Sequence, residues 1–322
     1  MAGRAGGLMA GGQRLIGPAF PRAPELDAAA PAGRLSAFVM ESGDSARYPG
    51  IRRLDNAVTR RRDAHGNRLA APHGEQSGAA PYRRTVWVYA PVRLDPAVKL
   101  PLIIAQDGHA YLNILPRALD VLIAQGRIPA MAAVLIDSGG GDAQGSQRGL
   151  EYDTVSGLYS DFVEAEVLPR AAEVAGLDFT DDPEGRAVMG VSSGAACAFT
   201  MAWFHPERYR RVLSYSGTFV NQQSPVDPAL PRGAWEYHAR LIPDAERKPL
   251  RLWLEVGDSD LHADDPEDSW HNWPLANQRM AAALEAKGYD VRFSLSRGGR
   301  HADPRVLEHT LPEALEWLWA GA

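Results

Sequence analysis

The sequence predicts an α/β fold with a mostly parallel central sheet and helices on both of its faces. Three observations carry this. Short apolar runs recur after residue 81, and helical stretches separate them. Runs such as Ala132-Ala133-Val134-Leu135-Ile136 show no polar alternation, as expected of strands covered on both faces. The 322 residues, 45% of them hydrophobic, supply a core for one large domain or two ordinary ones. No repeat and no linker divides the strands, so a single domain over 34–322 is expected, with an N-terminal extension over about 34–83.

In chain order, residues 1–33 read as a flexible tail rich in Gly and Ala. Gly11-Gly12-Gln13-Arg14 interrupts what a secretory signal would keep apolar, which makes a cytoplasmic location the expectation. From Asn56 to Pro81, Arg60-Arg61-Arg62, Gly66, Pro72 and Gly74 break every period, and a long surface loop is expected. Strands follow at Thr85–Ala90 and Leu100–Ala105, the second running into Gln106-Asp107-Gly108-His109. Leu115–Gln125 has helical spacing, Ala132–Asp137 is a strand, and Tyr159–Ala175 is an amphipathic helix. Ala187–Val191 is a strand followed by a helix over Gly194–Phe204; Val212–Tyr215 and Leu250–Val256 are strands. A helix over Leu275–Lys287 stops at Gly288, a strand covers Asp290–Leu295, and Leu311–Trp319 is a closing helix. Right-handed crossovers place the C-terminal ends of the parallel strands along one rim, where open α/β sheets bind ligands.

Composition excludes several classes. Forty acidic against 34 basic residues give a net charge of −6, which argues against a nucleic-acid binder. The lone Cys197 excludes an internal disulfide framework and a multi-cysteine metal site. No stretch approaches the roughly 18 apolar residues of a membrane span. The acidic stretch from Asp258 to His271 has neither EF-hand nor HExxH spacing and reads as a solvated loop. The glycines of 139–145 lack the Gly-Lys-Ser/Thr of a phosphate loop, with Ser146-Gln147 where the lysine would stand. No metal or cofactor is called for.

Gly190-Val191-Ser192-Ser193-Gly194 is the only G-x-S-x-G, and it lies between a predicted strand and a predicted helix. A serine there sits on a tight turn that only small neighbours tolerate, with its hydroxyl over the rim and a helix N-terminus where an oxyanion would form. Such a serine needs a base, and the base needs an orienting carboxylate. In this strand–turn–helix arrangement the acid and then the histidine follow later in the chain. The strand ending at Val256 runs into Gly257-Asp258-Ser259-Asp260. Asp258, Asp260 and the in-strand Glu255 are all available there, and G-x-x-D spacing favours Asp260. The last strand runs into Gly298-Gly299-Arg300-His301, so His301 is the candidate base, whereas His309 lies on the approach to the final helix.

These residues resemble the esterase branch of the α/β-hydrolases that includes enterochelin (siderophore), carbohydrate and feruloyl esterases. The resemblance rests on Met189–Gly194 and on Ala105-Gln106-Asp107-Gly108. It rests also on Arg148–Asp153, on Asn272–Asn277 and on Leu311–Trp319. It spans about residues 84–319, and the segments Ser42–Ser45 and Tyr48–Gly50 resemble these esterases' N-terminal extension. It implies Ser192 as nucleophile, Asp260 as acid and His301 as base. An oxyanion hole would come from the Ser193 N–H and a backbone N–H at Gly108 or His109. Here Arg300 separates Gly299 from His301, where these esterases usually read Gly-Gly-His or Gly-His. The expected reaction is carboxylic-ester hydrolysis through an acyl-enzyme on a small-molecule ester. An acyltransferase or a catalytically silent binding protein on the same scaffold are the alternatives. Arg148 and Glu151 are expected near the rim, Arg148 either paired with Glu151 or holding a polar group of the substrate. Trp273, with Trp270, Trp235 and Tyr152, is a candidate for stacking on a sugar or aryl ring, the alternative being that several of them pack a lid or the hydrophobic core.

Overall fold

Among the described residues, ten strands form one sheet: β1 Gly7–Leu8, β2 Gln13–Ile16, β3 Arg34–Glu41, β4 Arg83–Ala90, β5 Leu102–Gln106, β6 Ala132–Ile136, β7 Arg186–Val191, β8 Arg211–Tyr215, β9 Arg251–Ser259 and β10 Asp290–Arg300. A computed structural model describes residues 7–8, 13–50, 81–93, 98–141 and 144–321, so most of the surface loop expected over 56–81 lies outside the described residues. The strand order is β1-β2-β10-β9-β8-β7-β5-β6-β4-β3. From β2 through β10 to β6 every neighbouring pair is parallel, whereas β1, β3 and β4 join antiparallel at the two ends. β7, which carries the serine turn, lies between β5 and β8.

The central strands are buried along their length because each face meets its own layer. In β5, Leu102 and Ile104 face one hydrophobic cluster while Ile103 and Ala105 face the other, and β6 alternates in the same way. One layer holds helices α1 Leu115–Ala124 and α8 Pro304–Trp319. The other holds α2 Gln147–Tyr152, α3 Leu158–Phe162, α4 Leu168–Ala175, α5 Ser193–Phe204, the single turn α6 Ile242–Asp244, and α7 Trp273–Ala286.

Three expectations are corrected here. The tail over 1–33 is built into the fold from Gln13 onward. Gln13–Ile16 pairs in parallel with Phe293–Ser296, and Leu26 is buried between α1 and α8 in a short turn over Pro24–Asp27. An open edge on β10 and a short apolar pair, Leu15-Ile16, suffice for this despite the Gly-rich surroundings. The helix expected over Tyr159–Ala175 is interrupted by a wide turn at Val163–Val167. Pro169 has no N–H to continue an α-helical ladder, and the wider turn absorbs the break. The closing helix begins at Pro304, capped by the Asp303 carboxylate, so His309 is inside it and bonds Pro21 O.

Candidate active site

Ser192 has φ 60° and ψ −128°, a conformation that non-glycine residues avoid. The flanking residues explain how the chain tolerates it. A Cβ on Gly190 would come within 2.2 Å of the Gly194 backbone, so only glycine fits where the turn folds back on the strand. The Ser192 amide bonds Tyr215 O at 3.0 Å, and its carbonyl accepts from Thr218 N–H at 3.1 Å. β8 and the segment just after it therefore hold the turn.

The C-terminal ends of β9 and β10 bring the partners. His301 Nε2 is 2.9 Å from Ser192 Oγ, and His301 Nδ1 is 2.5 Å from Asp260 Oδ1. Asp260 has a fully buried side chain, while that of His301 is 22% exposed, so the line is closed to solvent at its carboxylate end. Asp258, two residues earlier, is exposed and accepts from Gly298 N–H at 2.7 Å. The turn that ends β9 points these two carboxylates in different directions, one capping a loop and the other touching the imidazole.

The remaining candidates divide. Ser193 opens α5, and Gly108 opens the short turn Gly108–Tyr111 after β5; helix openings leave such N–H groups without intrahelical acceptors. A Cβ on Gly108 would lie 2.5 Å from the Leu135 backbone, which requires glycine there. His109 departs from the expectation. Its amide and its Nδ1 both engage Asp137 Oδ1, at 3.0 and 2.8 Å.

Arg148 and Glu151 do not pair. Arg148 grips Asp107 with Nη2 at 2.7 Å and Nε at 3.0 Å, stitching α2 to the loop after β5. Desolvation opposes the Arg148 charge, yet the bonds and charge of Asp107 outweigh it and raise its pKa. Glu151 turns inward, is buried, and receives a forked pair from Arg84 at 2.6 and 3.0 Å. It also accepts from the Gly139 amide and Gln147, so it is a bracing group under the rim, not a substrate contact. Residues 148 and 151 sit on one short helix, but Glu151 faces β4 while Arg148 faces the loop after β5.

Trp273 is also corrected. It is buried, stacks on His262 with ring centres 5.8 Å apart, and meets His301 edge-on at 6.0 Å. No face is free for a sugar or aryl ring; the indole walls the imidazole. Trp235 and Tyr152 are buried too, and Trp270, 37% exposed, is the aromatic of the four that solvent reaches. Asp107, Asp137 and Thr218 were not singled out by residue type. Their positions at or just beyond the C-terminal ends of β5, β6 and β8 are the signal that could have found them.

A family model described as "Putative esterase" matches residues 77–317. The chain belongs to this esterase family. It is 28% identical over 256 residues to an iron(III) enterobactin esterase of Dickeya dadantii, covering 74% of this chain and 52% of that protein. The chain thus spans about half the length of that curated relative. The crystal structure of an enterobactin esterase from Shigella flexneri superposes with a TM-score of 0.63 at 22% identity, over 95% of this chain and 65% of the other. A ferulic acid esterase from the anaerobic fungus Anaeromyces mucronatus gives 0.56 at 12% identity, over 90% and 91%. At these identities the superpositions establish the fold, an α/β-hydrolase. Among the described residues, no helix is long and apolar enough to cross a membrane, and no group of three or more His, Cys, Asp or Glu side chains is placed to hold a metal ion.

Proposed function

We propose that this family member hydrolyses a small-molecule carboxylic ester through an acyl-enzyme on Ser192. One observation carries the reading: His301 bridges Ser192 Oγ and Asp260 Oδ1 at 2.9 and 2.5 Å. The bond to Asp260 assigns the proton of the neutral imidazole to Nδ1, leaving Nε2 to accept from Ser192. As Oγ attacks the carbonyl carbon, its proton moves to Nε2 and the carbonyl electron pair moves onto oxygen. The Ser193 and Gly108 amides are the donors suited to that oxyanion, since His109 already gives its amide to Asp137. Collapse expels the alcohol, which takes the Nε2 proton, and water attacking the acyl carbon repeats the cycle. The likeness to enterobactin esterases makes siderophore lactones, alongside aryl and short-chain esters, the substrates to compare first.

The test is a fluorophosphonate label and ester turnover in wild type and Ser192→Ala. The variant folds normally, does not label, and loses on the order of 10⁶ in kcat. Turnover within tenfold of wild type overturns the nucleophile. Asp260→Asn costs about 10³–10⁴ in kcat and Asp258→Asn far less, because only the group touching Nδ1 fixes the tautomer. The reverse ranking transfers the acid role to Asp258.

A further inference from the structure

Beyond the Ser–His–Asp line, a second buried chain reaches the same oxygen. Thr218, 1% exposed, follows β8 and places Oγ1 3.3 Å from Ser192 Oγ. Trp273 Nε1 donates to that same Thr218 oxygen at 3.3 Å. Asn277, on the same helix as Trp273, anchors the segment by donating to Gly217 O at 2.8 Å.

The direction of every bond follows from its neighbour. Asp260 accepts from His301 Nδ1–H, so Nε2 accepts from Ser192 O–H. With its single proton committed to Nε2, Ser192 Oγ can only accept from Thr218. The indole N–H can only donate, and it occupies one lone pair of Thr218 Oγ1. That leaves the Thr218 proton for Ser192. At 3.3 Å this contact is longer than an ordinary O–H···O bond, as catalytic hydrogen bonds often are before substrate arrives.

We infer that the Thr218 hydroxyl is a catalytic hydrogen-bond donor to Ser192 Oγ, aimed by the indole N–H of Trp273 acting as a positioning residue. This deepens the proposed reaction and rests on Ser192 being its nucleophile. Thr218 transfers no proton. During attack, Oγ gives its proton to Nε2 while the O–C bond forms, and Thr218 stabilises the partial negative charge that passes through Oγ. During deacylation the O–C bond breaks, its electron pair returns to Oγ, and Nε2–H delivers the proton. The same donor then stabilises the departing oxygen. A donor fixed in a buried site reorganises little as this charge develops, so its effect falls on kcat more than on KM.

The experiment compares Thr218→Val, Thr218→Ser and Trp273→Phe with wild type, using p-nitrophenyl butyrate turnover, fluorophosphonate labelling of Ser192 and thermal melting. Thr218→Val, which keeps the shape and removes the hydroxyl, lowers kcat about 10–100-fold with KM within about threefold. Thr218→Ser stays within about threefold of wild type, and Trp273→Phe loses roughly 3–10-fold in kcat while keeping an aromatic wall. If wild type labels at Ser192 but Thr218→Val keeps kcat within twofold, the donor role is overturned and the nucleophile stands. Equal losses in Thr218→Ser and Thr218→Val also overturn it, because they report packing and not the hydroxyl. If wild type neither labels nor turns over, the reading beneath fails and the donor role falls with it. Should Thr218→Val not fold, Trp273→Phe decides: an unchanged kcat overturns the donor role, and a loss of kcat with KM unchanged supports it.

Discussion

Two carboxyl groups, Glu151 and Glu255, are buried near the candidate site, and the protein treats them in opposite ways. Glu151 is met by a forked arginine, a glutamine and a backbone amide, so its oxygens are well supplied with donors. Glu255, on β9, accepts from the Ser296 hydroxyl at 2.6 Å, and no salt bridge reaches it among the described residues. Burial pushes the Glu255 carboxyl up to about 8; the Ser296 bond opposes this, and the charges of Asp260 and Asp303 add to it. For Arg84, desolvation works against the charge, but Glu151 outweighs it and raises the pKa. A buried carboxyl is thus kept either by importing a countercharge or by holding its proton. The first solution fixes geometry, here of the loop at Gly139. The second leaves a group whose cost depends on pH.

The largest effect that could break this comparison comes from removing the countercharge. Arg84→Met leaves Glu151 buried beside no cation, and such half-broken pairs cost about 3–5 kcal/mol. Urea unfolding at neutral pH measures it, and a loss below about 1 kcal/mol would show that Glu151 finds water or a proton instead.

Glu255→Gln sharpens the other half. The folded pKa is raised above the ordinary 4.5, so between about pH 4.5 and 8 the unfolded chain releases a proton that the folded chain keeps. Below that window the group carries no penalty, and through it wild-type stability falls by roughly 1.4 kcal/mol per pH unit from this group. Stability of Glu255→Gln relative to wild type therefore rises from pH 5 to pH 8 in denaturant melts. A constant difference across that range contradicts a retained proton.

The smallest effect concerns Arg148, whose pair with Asp107 lies at the half-open rim. Arg148→Lys loses the fork while keeping the charge, and ester turnover falls about 3–10-fold as the loop bearing Gly108 loosens. The loss is the same for neutral and anionic esters if Arg148 only braces that loop. A larger loss for the anionic ester, by about 1.5–3 kcal/mol in kcat/KM, shows that it also grips substrate.

Much of this site was legible in the chain. The turn at Ser192 announces itself because its requirements are local: small residues two positions either side, an apolar strand before and a helix after. Asp260 and His301 were legible for a related reason, since each follows the strand that carries it to the rim. The pairing of Arg148 with Glu151, one of the two roles expected of that arginine, does not form although three-residue spacing on a helix makes the two neighbours. That spacing says nothing about which larger partners wait on either side. Arg84 and Asp107 lie 67 and 41 residues from their partners, and they win because each fork is met in full.

The sequence by itself determined the alternating α/β order, the serine turn and the strand ends that bear Asp260 and His301. These depend on periodicity and on backbone room within a few residues. Only the tertiary structure decided that Gln13–Ile16 joins the sheet beside β10, that Trp273 is a buried wall and not a platform, and that Thr218 meets the serine oxygen. Each of those depends on which surfaces remain unpaired once the sheet is assembled. A buried donor or open edge takes whatever partner the packing brings within reach, however distant in the chain.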